Sequence, residues 1–336
     1  MNSASMNSAS MNSASAATAG LSSSPLQAAV LGHPIGHSRS PSLHAAAYAY
    51  LGQRIEYARH DVDEDGLAGF LAGPGSSSTP WVGWSVTMPL KCALVSHMDR
   101  ISERVRLLGV LNTVVHEGGR PGQPRQTGEP VSGLMGENTD VDGIVHALGE
   151  ADARGVLQPG AAPPDGRRFG ILGAGATATA ALAAASDLGF GRVVIYARSA
   201  ERAAETLPVA QALGLTVDIR SVADLSTDLS AGEATGIAAL VSTLPPRAAD
   251  SVAGQLRGLP EGLPLLDVAY DPWPSELALA WEAMGGAVVS GLAMLLHQAV
   301  KQVELFTAGT NHAATSLPPV EHLAMVESMR HAVGLA

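Results

Sequence analysis

Lys91 ends the segment GWSVTMPLK, which spans residues 83–91, and it is a residue that could transfer a proton. Only two of the 20 lysine and arginine residues in the chain are lysines. An arginine, with a pKa above about 12, does not release its proton in a protein, whereas a desolvated lysine can. Coding bias would also explain a lysine-poor chain and would leave Lys91 on a solvated helix turn. The residues that accompany Lys91 favour proton transfer.

Small polar side chains recur in segments that otherwise look structural. They are Ser38 and Ser40 in GHSRSP, Thr87 before Met88-Pro89, Asn112-Thr113, and Asn138-Thr139-Asp140. Each has an ordinary explanation. Ser40 could cap a helix, Thr87 could end a strand, and Asp140 could cap a helix over 141–148. Only their joint occurrence, in this order, calls for a further explanation.

A glycine-rich segment predicts a dinucleotide site. The pattern Gly173-x-Gly175-x-x-Ala178 follows a predicted strand over 168–172 and precedes a helix. The first glycine permits a tight turn, the second lets the backbone approach a pyrophosphate, and the small third residue permits close packing of helix on strand. The N–H groups of the helix N-terminus then face the diphosphate. The alternative is a glycine turn without a ligand.

The end of the next strand predicts which dinucleotide binds. An NAD site would carry a carboxylate there, but the sequence is Ala197-Arg198-Ser199, with no acidic residue before Glu201. A guanidinium and a hydroxyl therefore stand where a 2′-phosphate would lie. We expect NADP as the cofactor, against the alternative that Arg198 is a solvated residue at a strand end.

The ordered motifs resemble those of the shikimate dehydrogenase family over residues 30–309. The segments that carry the resemblance are GHPIGHSRSP (32–41), SVTMPLK (85–91), Asn112-Thr113, NTDxxG (138–143), the Gly173 loop, DVxYxP (267–272) and GLxMLxxQ (291–298). The family reduces 3-dehydroshikimate to shikimate with NADPH, so the resemblance implies that reaction for this chain.

The resemblance also implies a role for each matching residue. Lys91 and Asp140 correspond to the paired catalytic residues. The groups that would bind the carboxylate and hydroxyls of the ligand are Ser38, Ser40, Thr87, Asn112 and Gln298, with Tyr270 close by. Gly291 and Met294 match the segment that lines the nicotinamide, and Thr243 belongs to a turn after a nucleotide-domain strand. A lysine ammonium beside a carboxylate could stabilise the oxyanion formed by hydride addition and deliver a proton, with the pair titrating as a unit.

Three residues depart from the family pattern. Ser85 replaces the usual asparagine, Ala176 a frequent glycine, and Ala197 a common asparagine before the arginine. We expect the first two to alter packing more than chemistry, although Ala176 leaves less freedom for the diphosphate. Ala197 removes a contact to adenosine and weakens the expectation of NADP preference.

Three other functions remain open. A relative that oxidises quinate, often with NAD, differs from the first prediction by a few pocket hydrogen bonds. A non-catalytic ligand or dinucleotide sensor would keep the fold, but the loss of Lys91 or Asp140 that would signal it has not occurred. A folate-linked dehydrogenase with a similar plan fits the hydroxyl-binding set poorly.

Alternating short apolar runs and helical stretches predict an α/β protein that positions these residues. In the first half, strands are predicted over 28–31, 55–60, 81–86 and 111–116, and a helix over 41–51. In the second half, strands over 168–172, 192–196, 216–219, 238–242, 265–268 and 287–289 predict a Rossmann-type, doubly wound domain. Helices over 292–307 and 319–333 have no further strand and should return to the first domain.

These elements give the predicted domains. Residues 1–25 begin with MNSAS written three times and are expected to form a disordered tail. The substrate-binding and catalytic domain comprises 26–138 and 292–336, and the dinucleotide domain comprises 139–291. Glycine- and proline-rich segments over 117–130 and 155–166 are predicted to be a surface loop and a break between elements.

Composition limits the partners and the location. The net charge of −11 argues against a broad nucleic-acid surface. No histidine pattern or cysteine cluster supports a metal site. The single cysteine, Cys92, fits a reducing cytoplasm. No secretory signal is expected, since the first basic residue is Arg39. The longest uncharged stretch, 169–186, is rich in glycine and alanine, so a dinucleotide loop and a buried helix explain it better than a membrane segment. We expect a cytoplasmic enzyme with a small-molecule substrate, either monomeric or homodimeric.

Overall fold

The computed structural model describes residues 25–76, 80–117, 133–152, 157, 166–231, 236–310 and 312–335. The tail predicted over 1–25, except Pro25, and most of the segments 117–130 and 155–166 lie outside these residues. The described elements of the first half are β1 (Leu26–Gly32), α1 (Ser40–Leu51), β2 (Ile55–Asp61), α2 (Leu67–Ala72), β3 (Trp81–Val86), α3 (Leu90–Ala93), β4 (Arg100–Ile101), α4 (Glu103–Leu108), β5 (Thr113–His116), β6 (Leu134–Glu137) and α5 (Asp140–Ala151).

The second half contains a second set of strands and helices. They are β7 (Arg168–Leu172), α6 (Ala176–Asp187), β8 (Arg192–Ala197), α7 (Ala200–Ala204), α8 (Leu207–Ala212), β9 (Thr216–Ser221), α9 (Leu225–Ser230), β10 (Ile237–Ser242), α10 (Asp250–Ala253), β11 (Pro264–Asp267), α11 (Glu276–Ala283), β12 (Ala287–Ser290), α12 (Gly291–Thr307) and α13 (Pro319–Ala332). None of the helices in the described ranges is long and apolar enough to cross a membrane.

The first sheet has the strand order β2-β1-β3-β5-β6-β4. β1 is parallel to β2 and β3, whereas β5 runs antiparallel to β3 and β6. Because β1 and β3 are parallel neighbours, the loops that follow them leave the same edge of the sheet. The strand predicted over 111–116 begins only at Thr113. The sequence did not predict β4 and β6, which have two and four residues and too little pattern to recognise.

The second sheet is parallel throughout, with the order β12-β11-β10-β7-β8-β9. The strand order reverses between β7 and β10, which is the position where doubly wound sheets bind ligands. β7, β10 and β11 are buried along their whole length, as expected for a parallel sheet covered by helices on both faces. The predicted Rossmann-type fold is confirmed.

The last two long helices pack on the first half of the chain, as predicted. α12 contacts α1 and the strands β3 and β5, while α13 packs on α1. Leu296, Val303 and Phe306 of α12 join Leu43 and Tyr48 of α1 in one buried cluster. α5 contacts α12 on one side and α6 of the second half on the other. The domain boundaries at 138/139 and 291/292 stay a prediction.

Neither capping explanation agrees with the structure. Ser40 and Asp140 are the first residues of α1 and α5, the N-cap positions are Arg39 and Thr139, and neither cap makes a side-chain hydrogen bond. The Ser40 hydroxyl instead interacts with the Tyr57 hydroxyl, and the Asp140 carboxylate binds Lys91. Both side chains therefore bind residues outside their own helix.

Candidate active site

Lys91 and Asp140 form a buried ion pair. The Lys91 Nζ lies 2.5 Å from the Asp140 Oδ2, and the residues are 9% and 2% exposed. Lys91 comes from α3, directly after β3, and Asp140 begins α5. Burying two charges is costly unless each keeps a partner, so the pairing holds both side chains in one arrangement. The site thus presents an ammonium group already bound to a carboxylate.

Asn112 connects this pair to the rest of the site. Its Nδ2 lies 2.9 Å from the Asp140 Oδ1 and 2.8 Å from the Gln298 Oε1. Its Oδ1 accepts a hydrogen bond from the backbone N–H of Thr139 at 2.7 Å. The Asn112 side chain, 1% exposed, therefore joins the loop before β5 to both α5 and α12. Four of the predicted residues, Lys91, Asp140, Asn112 and Gln298, form one connected group.

The local sequence explains why Asp140 is held here. The Asn138 Nδ2 donates to the carbonyl of Val110, and the Asn138 Oδ1 accepts from the backbone N–H of Asp140 at 3.1 Å. On the facing loop, the N–H of Leu111 donates to the Lys91 carbonyl. A Cβ at Gly143 would lie 2.7 Å from the Met294 carbonyl oxygen, so only glycine permits this approach of α5 to α12. The close contact puts Gln298 within reach of Asn112.

Three of the predicted substrate-binding residues follow β1 and β3: Ser38 and Thr87 lie in the loops after these strands, and Ser40 begins α1. Ser38 and Ser40 are 8% and 3% exposed, and the Ser38 Oγ accepts from the backbone N–H of Ser40 at 3.3 Å. The N–H of Thr87 donates to the carbonyl of Leu31 at the end of β1. The two loops are thus tied together at one edge of the sheet, the edge at which Lys91 also lies.

A buried polar network behind these loops was not predicted. The Ser85 hydroxyl donates to the Gln302 Oε1 at 2.7 Å, and the Tyr57 hydroxyl donates to Ser85 at 2.6 Å. The Gln302 Nε2 reaches the Thr113 Oγ1 at 3.0 Å, and its Oε1 lies 3.2 Å from the His44 Nε2. Burial lowers the pKa of His44 to about 3 against the opposing hydrogen bond from Gln302, so this imidazole is neutral.

One sequence signal could have pointed to this network. Gln302 follows Gln298 by four residues, which puts the two amides on the same face of a helix. Ser85 was expected to change packing more than chemistry. Its hydroxyl bonds to two side chains that approach from β2 and α12, and its effect on the chemistry stays a prediction.

Tyr270 lies in the loop after β11. Asp267 holds this loop by accepting from the Ser275 hydroxyl at 2.6 Å and from the backbone N–H of Ala269. Burial and the neighbouring Asp271 raise the pKa of the Tyr270 hydroxyl, and the charges of Arg39 and Arg59 oppose that shift. These two arginines belong to the first half of the chain. The His37 Nδ1 lies 3.4 Å from the Asp271 Oδ2, so the loop that carries Tyr270 lies beside the loop after β1 that carries Ser38.

Four of the predicted cofactor residues, Gly173, Gly175, Ala176 and Thr243, lie at the reversal point of the second sheet, in the turns after β7 and β10. Gly173 has φ +114°, and a Cβ there would lie 2.5 Å from the Thr243 Oγ1. Gly175 is exposed with no atom near its missing Cβ, and Ala176 begins the twelve-residue helix α6. The turn thus leaves its backbone open beside free helix N–H groups, which fits a diphosphate.

The residues expected at the 2′-phosphate fit an anion as well. Arg198 is exposed, and within the described part of the chain it has no hydrogen-bond or ion-pair partner. The Ser199 Oγ accepts from the backbone N–H of Arg202 and caps α7, which leaves its own O–H available. Gly291 begins α12 beside Val268, and Met294, 5% exposed, lies against Gly143. Met294 is therefore nearly buried against α5, and its place beside the nicotinamide stays a prediction.

Comparisons with known proteins agree with this geometry. A family model described as the shikimate dehydrogenase substrate binding domain matches residues 30–114. A shikimate dehydrogenase (NADP(+)) from Methylobacterium radiotolerans is 32% identical over 280 residues, 83% of this chain and 90% of that protein. The structure of Mycobacterium tuberculosis shikimate dehydrogenase is 36% identical, with a TM-score of 0.69, and the match covers 92% of this chain and 99% of that one.

A ligand-bound structure is also similar. Shikimate 5-dehydrogenase from Thermus thermophilus, solved in complex with NADP(H) and shikimate, is 27% identical with a TM-score of 0.66. The match covers 91% of this chain and 99% of that chain.

Proposed function

Because the chain belongs to the shikimate dehydrogenase family, we propose that it interconverts 3-dehydroshikimate and shikimate and that Lys91 and Asp140 carry the proton chemistry. It is an NADP-dependent oxidoreductase that acts on a CH–OH group. The observation that supports the residue roles best is the buried contact of 2.5 Å between the Lys91 Nζ and the Asp140 Oδ2.

The pair performs the step that a carbonyl reduction requires of the protein. Bound NADPH supplies the hydride. The Lys91 ammonium stabilises the negative charge that develops on the carbonyl oxygen and provides the proton, while Asp140 holds the ammonium in place and binds a neighbouring hydroxyl. In the oxidative direction the pair accepts the proton.

The remaining predicted residues orient the substrate and the cofactor. Ser38 and Ser40 donate hydrogen bonds to the carboxylate of shikimate, with Tyr270 beside them. Thr87, Asn112 and Gln298 bind its hydroxyls. On the other side, Gly173, Gly175 and Ala176 hold the diphosphate, and Arg198 with Ser199 binds the 2′-phosphate. Gly291 and Met294 border the nicotinamide, and Thr243 belongs to the cofactor side as part of the turn after β10.

Initial rates of oxidation of shikimate and quinate, each with NADP and with NAD, test this function. We expect shikimate with NADP to give the highest kcat/KM, in agreement with the names of the relatives. A higher value with quinate or NAD would leave the proton chemistry in place but refute the substrate or cofactor. Absence of turnover with all four pairs, together with retained ligand binding, would favour the sensor.

Assembly and location are further parts of the proposal. A monomer or a homodimer is expected, and sedimentation velocity distinguishes the two. A cytoplasmic location is supported by the single cysteine, Cys92, and fluorescence microscopy of a tagged chain tests it.

A further inference from the structure

Arg59 contacts the loop that carries the two serines. Its Nη2 and Nε donate to the backbone carbonyl oxygen of Ser38 at 2.7 Å and 3.2 Å. Arg59 is exposed and lies near the end of β2, whereas Ser38 is buried in the loop after β1. Two donors from one rigid guanidinium fix this carbonyl in direction as well as in position.

The charge of Arg59 is not balanced by a carboxylate. In the ranges that the structure describes, neither Arg59 nor its neighbour Arg39 forms an ion pair. Both arginines also act electrostatically on the Tyr270 hydroxyl, where they oppose the rise of its pKa. The Tyr270 hydroxyl is therefore influenced by two positive charges, from Arg39 and Arg59, and by the negative charge of Asp271, and Arg59 also contacts the Ser38 carbonyl.

We propose that Arg59 is a positioning residue that makes this site selective for a carboxylate on the substrate, with Arg39 adding charge to the same loop. The proposal rests on the proposed function, in which Ser38 and Ser40 bind that carboxylate. Arg59 turns the negative end of the Ser38 peptide group away from the anion and neutralises it. The Ser38 hydroxyl and the positive potential then face the substrate carboxylate.

Removal of Arg59 should weaken substrate binding more than it slows the chemical step. Arg59 contacts neither Lys91 nor Asp140 in the described hydrogen bonds, so its removal should leave the proton transfer intact. Loss of a charge-assisted hydrogen bond corresponds to about a tenfold to hundredfold change in affinity. We therefore expect Arg59→Ala to raise the KM for shikimate by about tenfold or more with little change in kcat.

The decisive experiment compares shikimate with its methyl ester, which has the same ring and hydroxyls but no charge. For wild type, Arg59→Ala, Arg59→Lys and Arg39→Ala, kcat/KM is measured for both substrates with NADP. We expect Arg59→Ala to lower the ratio of acid to ester by about tenfold. Arg59→Lys should recover part of the loss, because it keeps the charge but lacks the fork of two donors. The smaller loss in Arg39→Ala should disappear at high salt.

Arg54→Ala is the matched control, since this exposed arginine precedes β2 at the other end of the same strand. It should leave the ratio unchanged. The dissociation constant for NADP and the thermal midpoint of each variant verify folding, and Arg59→Lys remains informative if the alanine variant is unstable. Equal losses for acid and ester would overturn the proposal. If the wild type does not oxidise shikimate, the proposed function fails instead.

Discussion

The substrate side and the cofactor side of the site use different kinds of groups. On the substrate side, buried side chains bind one another. The single side chain of Asn112, for example, contacts Asp140, Thr139 and Gln298. On the cofactor side, the expected contacts come from the backbone at Gly173 and Gly175 and from the exposed Arg198. Contacts between side chains therefore preorganise the substrate side before any ligand binds. The conformation of the backbone preorganises the cofactor side.

This difference predicts how substitutions on each side should affect stability and binding. A side chain removed from the substrate side leaves other buried groups without partners, at about 1–3 kcal/mol for each group. On the cofactor side the backbone keeps its shape when a side chain is shortened, so a single substitution should weaken binding without disturbing the fold. The predictions that follow test this contrast.

The largest effect is expected from Lys91→Ala. Removing the ammonium deletes the proton donor and leaves the buried Asp140 carboxylate without its cation, so kcat should fall by about 10²- to 10⁴-fold. The dissociation constant for NADP, measured by fluorescence titration, should stay near that of the wild type. The other lysine of the chain provides the control. Lys301 is about half exposed and pairs with Glu304, so Lys301→Ala should keep full turnover. Comparable losses in both variants would contradict the role of Lys91.

Arg198→Ala is expected to have the next largest effect, restricted to one cofactor. Loss of a charged contact to the 2′-phosphate should raise the KM for NADP by about tenfold to hundredfold and leave NAD almost unaffected. Arg192→Ala is the control, because this exposed arginine starts β8 at the end away from Arg198. Equal changes in KM for NADP and NAD would show that Arg198 does not contact the 2′-phosphate.

Acid should destabilise the fold mainly through buried histidines on the substrate side. Burial lowers the pKa of His44 to about 3 and that of His116 to about 4, and both belong to the first half of the chain. The unfolded chain binds these protons near pH 6.5, so stability should fall as the pH drops from about 6.5 toward 4. Denaturant unfolding at several pH values measures the slope, which should be shallower in His44→Gln. An unchanged slope in that variant would mean that His44 contributes nothing to acid sensitivity.

The sequence predicted the cofactor side better than the substrate side. The Gly173 turn is a local pattern, and its strand, glycines and helix are contiguous in the chain. By contrast, Gln302 lies 217 residues from Ser85 and 258 residues from His44, so their contacts depend on α12 returning to the first sheet. That return was predicted, but no local pattern indicates which buried amide then meets which hydroxyl. The strands β4 and β6 were not predicted for a related reason. Strands this short are recognised by the strands with which they pair, and the local sequence does not show that pairing.

Ala176→Gly should produce the smallest change and is the finest test of the contrast. Ala176 begins α6 in place of a glycine frequent in the family, and the position before it, Gly175, already leaves the backbone open. Glycine disfavours a helix by about 1 kcal/mol relative to alanine, and less at a helix end, so the KM for NADP should change by less than about fivefold. In the proposed site the diphosphate binds N–H groups and not the Ala176 methyl group, so no larger change is expected. A tenfold tighter binding of NADP in a titration would instead show that the Ala176 side chain limits the approach of the diphosphate. The cofactor side would then depend on side chains as closely as the substrate side does.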